Sequence, residues 1–153
     1  TYASAQQTTA WGDQGNGTYV NPILNADYSD PDVIRVGEKY YMVCSDFHYI
    51  GMPVLESTDM VNWTIISQVY NRFDYPKWDT NERFAGGSWA PAIRYHDGKF
   101  WVFFCTPHEG LFMSTATDPH GPWSPLHVLS GTKTGKPISG AASMERVPLS
   151  YIK

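Results

Sequence analysis

The chain has 153 residues, 42% hydrophobic and 17% charged, so it carries ample apolar surface to offset ordering entropy and is not intrinsically disordered in bulk. Its 11 Lys+Arg against 15 Asp+Glu give a net charge of −4, which argues against nucleic-acid binding because no basic patch is available to neutralise phosphates. No apolar run approaches the roughly 18 residues of a membrane-spanning helix, and the aromatic share of 15% suits either a β core or stacking against sugars.

Residues 1–18 are rich in Gln, Thr and Gly and read as a flexible lead-in. Within it, Ala3-Ser4-Ala5 has the small-x-small spacing of a signal-peptidase site, so a secreted or periplasmic location is expected. The competing reading is a small-residue tail of no significance. Asn16-Gly17-Thr18 and Asn62-Trp63-Thr64 match the short glycosylation sequon. Short apolar or alternating runs then follow: Val33–Val36, Lys39–Ser45, Val54–Ser57 and Thr64–Val69, and later Ile93–His96, Phe100–Cys105, Leu111–Thr115 and Leu126–Leu129. Each is bounded by Gly, Pro, Asp or Asn and rich in β-branched and aromatic residues, the pattern of short strands. Gly37-Glu38-Lys39 and His96-Asp97-Gly98-Lys99 have the composition of hairpin tips. No segment keeps a 3.6-residue apolar period, so the fold class is all-β. Cys44 and Cys105 each end an apolar run and read as buried free thiols.

An internal repeat organises these strands. Asp30-Pro31-Asp32-Val33-Ile34-Arg35, followed by Gly37-Glu38-Lys39-Tyr40-Tyr41, aligns with Ala90-Pro91-Ala92-Ile93-Arg94, followed by Gly98-Lys99-Phe100-Trp101, at an offset of about 60 residues. Farther on, Ser57-Thr58 with Trp63 faces Ser114-Thr115 with Trp123, and both Trp are expected in the core. Four short antiparallel strands per unit describe a β-propeller blade. Two chance hairpin pairs of one sandwich are the alternative. Propellers close with about four to eight blades, so the expectation is a partial propeller. The first blade covers 19–85, the second 86–134, and 135–153 forms an atypical tail.

The stretch Asn21-Pro22-Ile23-Leu24 through Asp30-Pro31-Asp32, with Tyr40-Tyr41, resembles the opening of glycoside hydrolase family 43. So do Ser57-Thr58-Asp59-Met60-Val61-Asn62-Trp63, Gly86-Gly87-Ser88-Trp89-Ala90-Pro91 and Gly121-Pro122-Trp123-Ser124. The resemblance implies a five-bladed propeller that hydrolyses xylosides or arabinosides of plant cell-wall polysaccharides with inversion. That chemistry needs one carboxylate to activate water and one carboxylic acid to protonate the leaving oxygen, about 6.5–9.5 Å apart.

On this resemblance Asp30 is the general base, and Pro31 is expected to hold it extended. Asp27 and Asp32 are neighbouring carboxylates read as structural. Trp89 resembles the aromatic wall of the sugar subsite, with blade packing as its alternative, and Phe47 is a second candidate wall. Ser88, His48 and His108 are weaker candidates for hydroxyl contacts. After Gly121-Pro122-Trp123-Ser124 the chain departs from the family, whose next motif supplies an Asp that tunes the acid, with a Glu acid later. Glu145, the one Glu from Thr132 onward, lies in a setting unlike that of the acid. The family's calcium is held by residues farther along, so no metal and no cofactor is assigned. The expected partner is a xylose- or arabinose-containing saccharide, with no nucleic acid and no membrane. A non-catalytic sugar-binding module, or a half-propeller that self-associates through open edges, are the alternatives.

Overall fold

The computed structural model describes residues 11–47, 51–73 and 86–131. Eight strands run in chain order: β1 Asp32–Val36, β2 Lys39–Val43, β3 Pro53–Ser57, β4 Thr64–Gln68, β5 Trp89–His96, β6 Lys99–Thr106, β7 Gly110–Ala116 and β8 His127–Gly131. They form two four-stranded sheets, ordered β1-β2-β3-β4 and β5-β6-β7-β8, with every neighbouring pair antiparallel. No helix occurs among the described residues.

Turn chemistry sets the registers. Val36 pairs with Lys39 across Gly37-Glu38, and Gly37 takes φ 61°, the positive value that a two-residue turn of type II′ needs at its first position. His96 pairs with Lys99 across Asp97 and Gly98, at φ 50° and 71°, which is the type I′ geometry that Asp-Gly favours. Both hairpin tips were legible from composition. β5 begins four residues before the expected Ile93, because Trp89 pairs with Cys105 and the register shifts between Trp89 and Ala92. Pro91 has no N–H for a ladder, so this irregularity falls where a regular strand could not continue.

The strands alternate their side chains, and one face of each sheet packs on the other. Tyr41, Val43 and Val54 of the first sheet meet Ile93, Phe100, Val102, Phe104 and Phe112 of the second, joined by Met52, Val69, Tyr70 and Phe73 from connecting segments. The aromatic rings interlock: Tyr41 meets Phe100 edge-on at 5.0 Å between centroids, and Phe73 meets Phe112 edge-on at 4.9 Å. Polar ties cross the same joint. The Asp32 carboxylate accepts from the Ile93 N–H at 2.8 Å and from the Arg94 guanidinium. The Ser67 hydroxyl donates to the Pro119 carbonyl at 2.6 Å and accepts from the Trp123 indole N–H at 3.1 Å.

Three expectations need revision. Trp123 is partly buried against the core, whereas Trp63 lies outside it, half-buried at a corner with its indole N–H on the Met60 carbonyl. Its ring caps the local turn instead of reaching the second sheet. Within the lead-in, residues 11–20 close on themselves through a bridge between Asp13 and Tyr19, and the Asn62 amide reaches across to Asp13 at 2.8 Å. The two thiols are free, but Cys105 is only half-buried beside the fully enclosed Cys44. The tail from 132 onward lies outside the described residues.

Candidate active site

One end of the two sheets collects the candidate residues. β1 and β5 start there and β2 and β6 finish there, so Asp30, Ser45–Phe47 and Ser88–Ala90 are brought together from three separate stretches of chain.

Asp30 is exposed, and its Oδ2 accepts a 2.7 Å hydrogen bond from the Ser45 hydroxyl. No described residue donates to its Oδ1. Its backbone differs from the extended form that Pro31 was expected to impose: φ is 50°, in the left-handed region. Asp is one of the few side chains that tolerates this region, and the surroundings hold it there. The Ser45 N–H donates to the Ser29 carbonyl at 2.9 Å, so Ser45 grips the segment by main chain and side chain together. The repeat partner Ala90, also followed by Pro, sits at φ 40°. An alanine there costs about 1–2 kcal/mol, and its N–H is spent on the Ser45 Oγ at 2.8 Å.

Two aromatic residues lie on the segments that meet at this end. Trp89 immediately precedes Ala90, leaves 42% of its surface exposed and ties its indole N–H to the Gly86 carbonyl. Phe47 is half-buried and follows Asp46, which pairs with Ser88 through main-chain bonds of 3.0 and 2.8 Å in both directions. The approach is so close that a Cβ on Gly87, at φ 67°, would lie 2.3 Å from both the Asp46 carbonyl oxygen and the Phe47 Cα. Only glycine fits that crossing.

The Asp46–Ser88 bridge belongs to a buried polar layer. Asp46 Oδ2 accepts from the Gly51 N–H at 3.0 Å and from the Tyr70 hydroxyl at 3.3 Å, and Tyr70 also meets the Ser88 hydroxyl at 2.9 Å. Ser88 is fully enclosed, so it supports the rim from beneath and does not reach a sugar hydroxyl, contrary to expectation. His48 lies outside the described residues. His108 is half-buried in the β6–β7 turn, beside the buried pair in which the Thr106 hydroxyl donates to Glu109 at 2.7 Å. Asp32 is committed to Ile93 and Arg94 in the second sheet, and Asp27 is exposed. Burial, then the nearby Asp46 and Asp27 charges, push the Cys44 thiol up to about 11, so it is no nucleophile.

Ser45, Asp46 and Tyr70 escaped the sequence reading. The repeat held one signal: Ser45 occupies the position of Cys105, so a hydroxyl stands in the first unit where the second has a thiol. Among the described residues no three His, Cys, Asp or Glu side chains converge to hold a metal. The arrangement offers an exposed carboxylate, held at one oxygen by Ser45, that can accept a proton from water, with Trp89 and Phe47 on the adjoining segments.

The sequence profile described as glycosyl hydrolases family 43 matches residues 19–139, a span that contains Asp30, Phe47, Ser88 and Trp89. A Xylanibacter ruminicola protein provisionally named a beta-xylosidase is 66% identical over 122 residues, covering 80% of this chain and 23% of that protein. A beta-xylosidase of Formosa agariphila is 47% identical over 122 residues, covering 77% and 21%. The non-reducing end alpha-L-arabinofuranosidase BoGH43B of Bacteroides ovatus is 38% identical over 112 residues, covering 70% and 21%. A solved structure, the Bacteroides ovatus xyloglucan PUL GH43B, superposes with a TM-score of 0.57 at 36% identity, covering 69% of this chain and 22% of that one. The chain thus spans between 21% and 23% of the length of these curated relatives. From residue 19 to residue 139, in motif order and in the layout of its strands, this chain belongs to glycosyl hydrolases family 43.

Proposed function

We propose that this chain supplies the base-bearing part of an inverting glycoside hydrolase acting on xylosides or arabinosides, with its two sheets as two blades of a five-bladed propeller. The observation that carries the reading is the exposed Asp30, one oxygen held by Ser45 and the other bonded to no described residue, in a segment joined through Ser45 and the Asp46–Ser88 bridge to those of Trp89 and Phe47. Asp30 takes the proton from water attacking the anomeric carbon, while the flat rings pack on the C–H face of the pentose. The relatives' names, two xylosidases and one arabinofuranosidase, support a pentoside. Plant cell-wall polysaccharide is the substrate we infer, and Ala3-Ser4-Ala5 supports secretion.

The proton donor for the leaving oxygen matches no residue here, and general acid catalysis contributes about 10²–10⁴-fold. This chain alone is therefore expected to cleave an activated aryl xyloside slowly and xylobiose not at all. The assay compares both substrates with wild type and Asp30→Ala. Brisk xylobiose cleavage that disappears in Asp30→Ala would show that the donor is present after all. Pentose binding that survives Asp30→Ala and is lost in Trp89→Ala, with no turnover of either substrate, would favour a non-catalytic sugar-binding module.

A further inference from the structure

We propose that Ser45 is a positioning residue that aims the base, an inference that rests on the reading of Asp30 as that base. The Ser45 hydroxyl has one proton to give. Its oxygen already accepts from the Ala90 N–H at 2.8 Å, so the proton is directed at Asp30 Oδ2, 2.7 Å away. Ser45 is itself 7% exposed and tethered by its N–H to the Ser29 carbonyl, which leaves the hydroxyl little room to turn elsewhere.

Two consequences follow for the reaction. One carboxylate oxygen is permanently engaged, so Oδ1 alone is left to take the proton from water. The Asp30 side chain is also fixed relative to β5, because the Ala90 N–H belongs to the second sheet and Trp89 is the residue next to it. Base and sugar wall are thereby set at one spacing by a single hydroxyl.

The test has two parts. In nuclear magnetic resonance titrations, the Ala90 amide signal should follow the ionisation of the Asp30 carboxyl through the Ser45 hydroxyl. That coupling is expected in wild type and Ser45→Thr, and absent in Ser45→Ala and in Asp30→Asn. In an active polypeptide carrying this sequence, Ser45→Ala should lower kcat on an aryl xyloside about 10–100-fold, the scale of one hydrogen bond to a charged group, with KM changed less than about 3-fold. Ser45→Thr should recover most of that loss. An Ala90 signal that still follows Asp30 in Ser45→Ala overturns the proposal. So does an unchanged kcat in Ser45→Ala where Asp30→Ala abolishes turnover. Hydrolysis that survives Asp30→Ala is a different failure: it removes the base assignment itself, and the role of Ser45 with it.

Discussion

Asp59 shows how a single side chain can fix a corner. Its Oδ1 accepts from the N–H groups of Val61 and Asn62 at 2.8 and 2.7 Å and from the Ser57 hydroxyl at 3.0 Å, while its Oδ2 takes the Asn62 amide at 2.9 Å. These donors, the Asn62 side chain foremost and its backbone N–H next, stabilise the charged form and hold the carboxyl at about 2, below its ordinary 3.8. A depressed value means the carboxylate contributes stability above pH 3.8, and that this contribution is lost as pH falls through about 2. The Asn62 and Val61 amides should accordingly lose protection, measured against their intrinsic exchange rates, between pH 4 and 2 in wild type. In Asp59→Asn the protection should already be lower at neutral pH and constant across that window. The exposed position keeps the energy small, so local exchange is the measurement to use.

At the scale of elements, the crossing of the 46–47 and 87–88 segments is the least tolerant point. Gly87→Ala would force a Cβ to within 2.3 Å of backbone atoms at a φ of 67°, and neither strand end can retreat without breaking the Asp46–Ser88 bridge. A cost of about 3 kcal/mol or more is expected, the range of severe backbone conflicts. For a chain of this size, that corresponds to a fall in Tm of roughly 6–12 °C. A melt within 2 °C of wild type would show that the crossing can relax.

Such elements also mark what sequence can disclose. All eight strands were visible because period-two patterning and turn residues such as Asp97-Gly98 are local properties. The proposed base and wall residues, Asp30, Phe47 and Trp89, were singled out only through motif resemblance. Tyr70 was not legible and Ser45 only as a hydroxyl opposite Cys105 in the repeat, because their roles depend on partners 24 and 15 positions away, Asp46 and Asp30. The burial of Ser88 was missed for a related reason: its hydroxyl meets that of Tyr70, 18 positions away, and no local pattern discloses that contact. The left-handed Asp30 defied a sound local rule, since contacts from Ser45 outweigh the bias of a following proline.

At the scale of the whole molecule, the two sheets share one buried cluster among the described residues. The buried cluster lies between them, with Phe104 and Phe112 stacked at 5.4 Å and Tyr70 tilted against Phe104 at 5.6 Å. Each sheet is therefore the solvent shield of the other, and the described part should unfold in one cooperative step. Phe112→Ala is expected to cost about 3–5 kcal/mol and to lower the stability of both sheets alike. Fluorescence from Trp63 in the first sheet's corner and Trp101 in β6 can report the two separately in single-Trp variants. Two resolved transitions would contradict this.

Ser45 receives a bond from the second sheet and gives one to Asp30 beside the first. The aim of the carboxylate is thus set across a seam and not within any one element. Local openings need less free energy than global unfolding, so warming should blur the direction of the reactive oxygen while the strands still hold their spectroscopic signature. The working ceiling of such a site is the temperature its joint can bear, reached below the temperature at which the fold is lost.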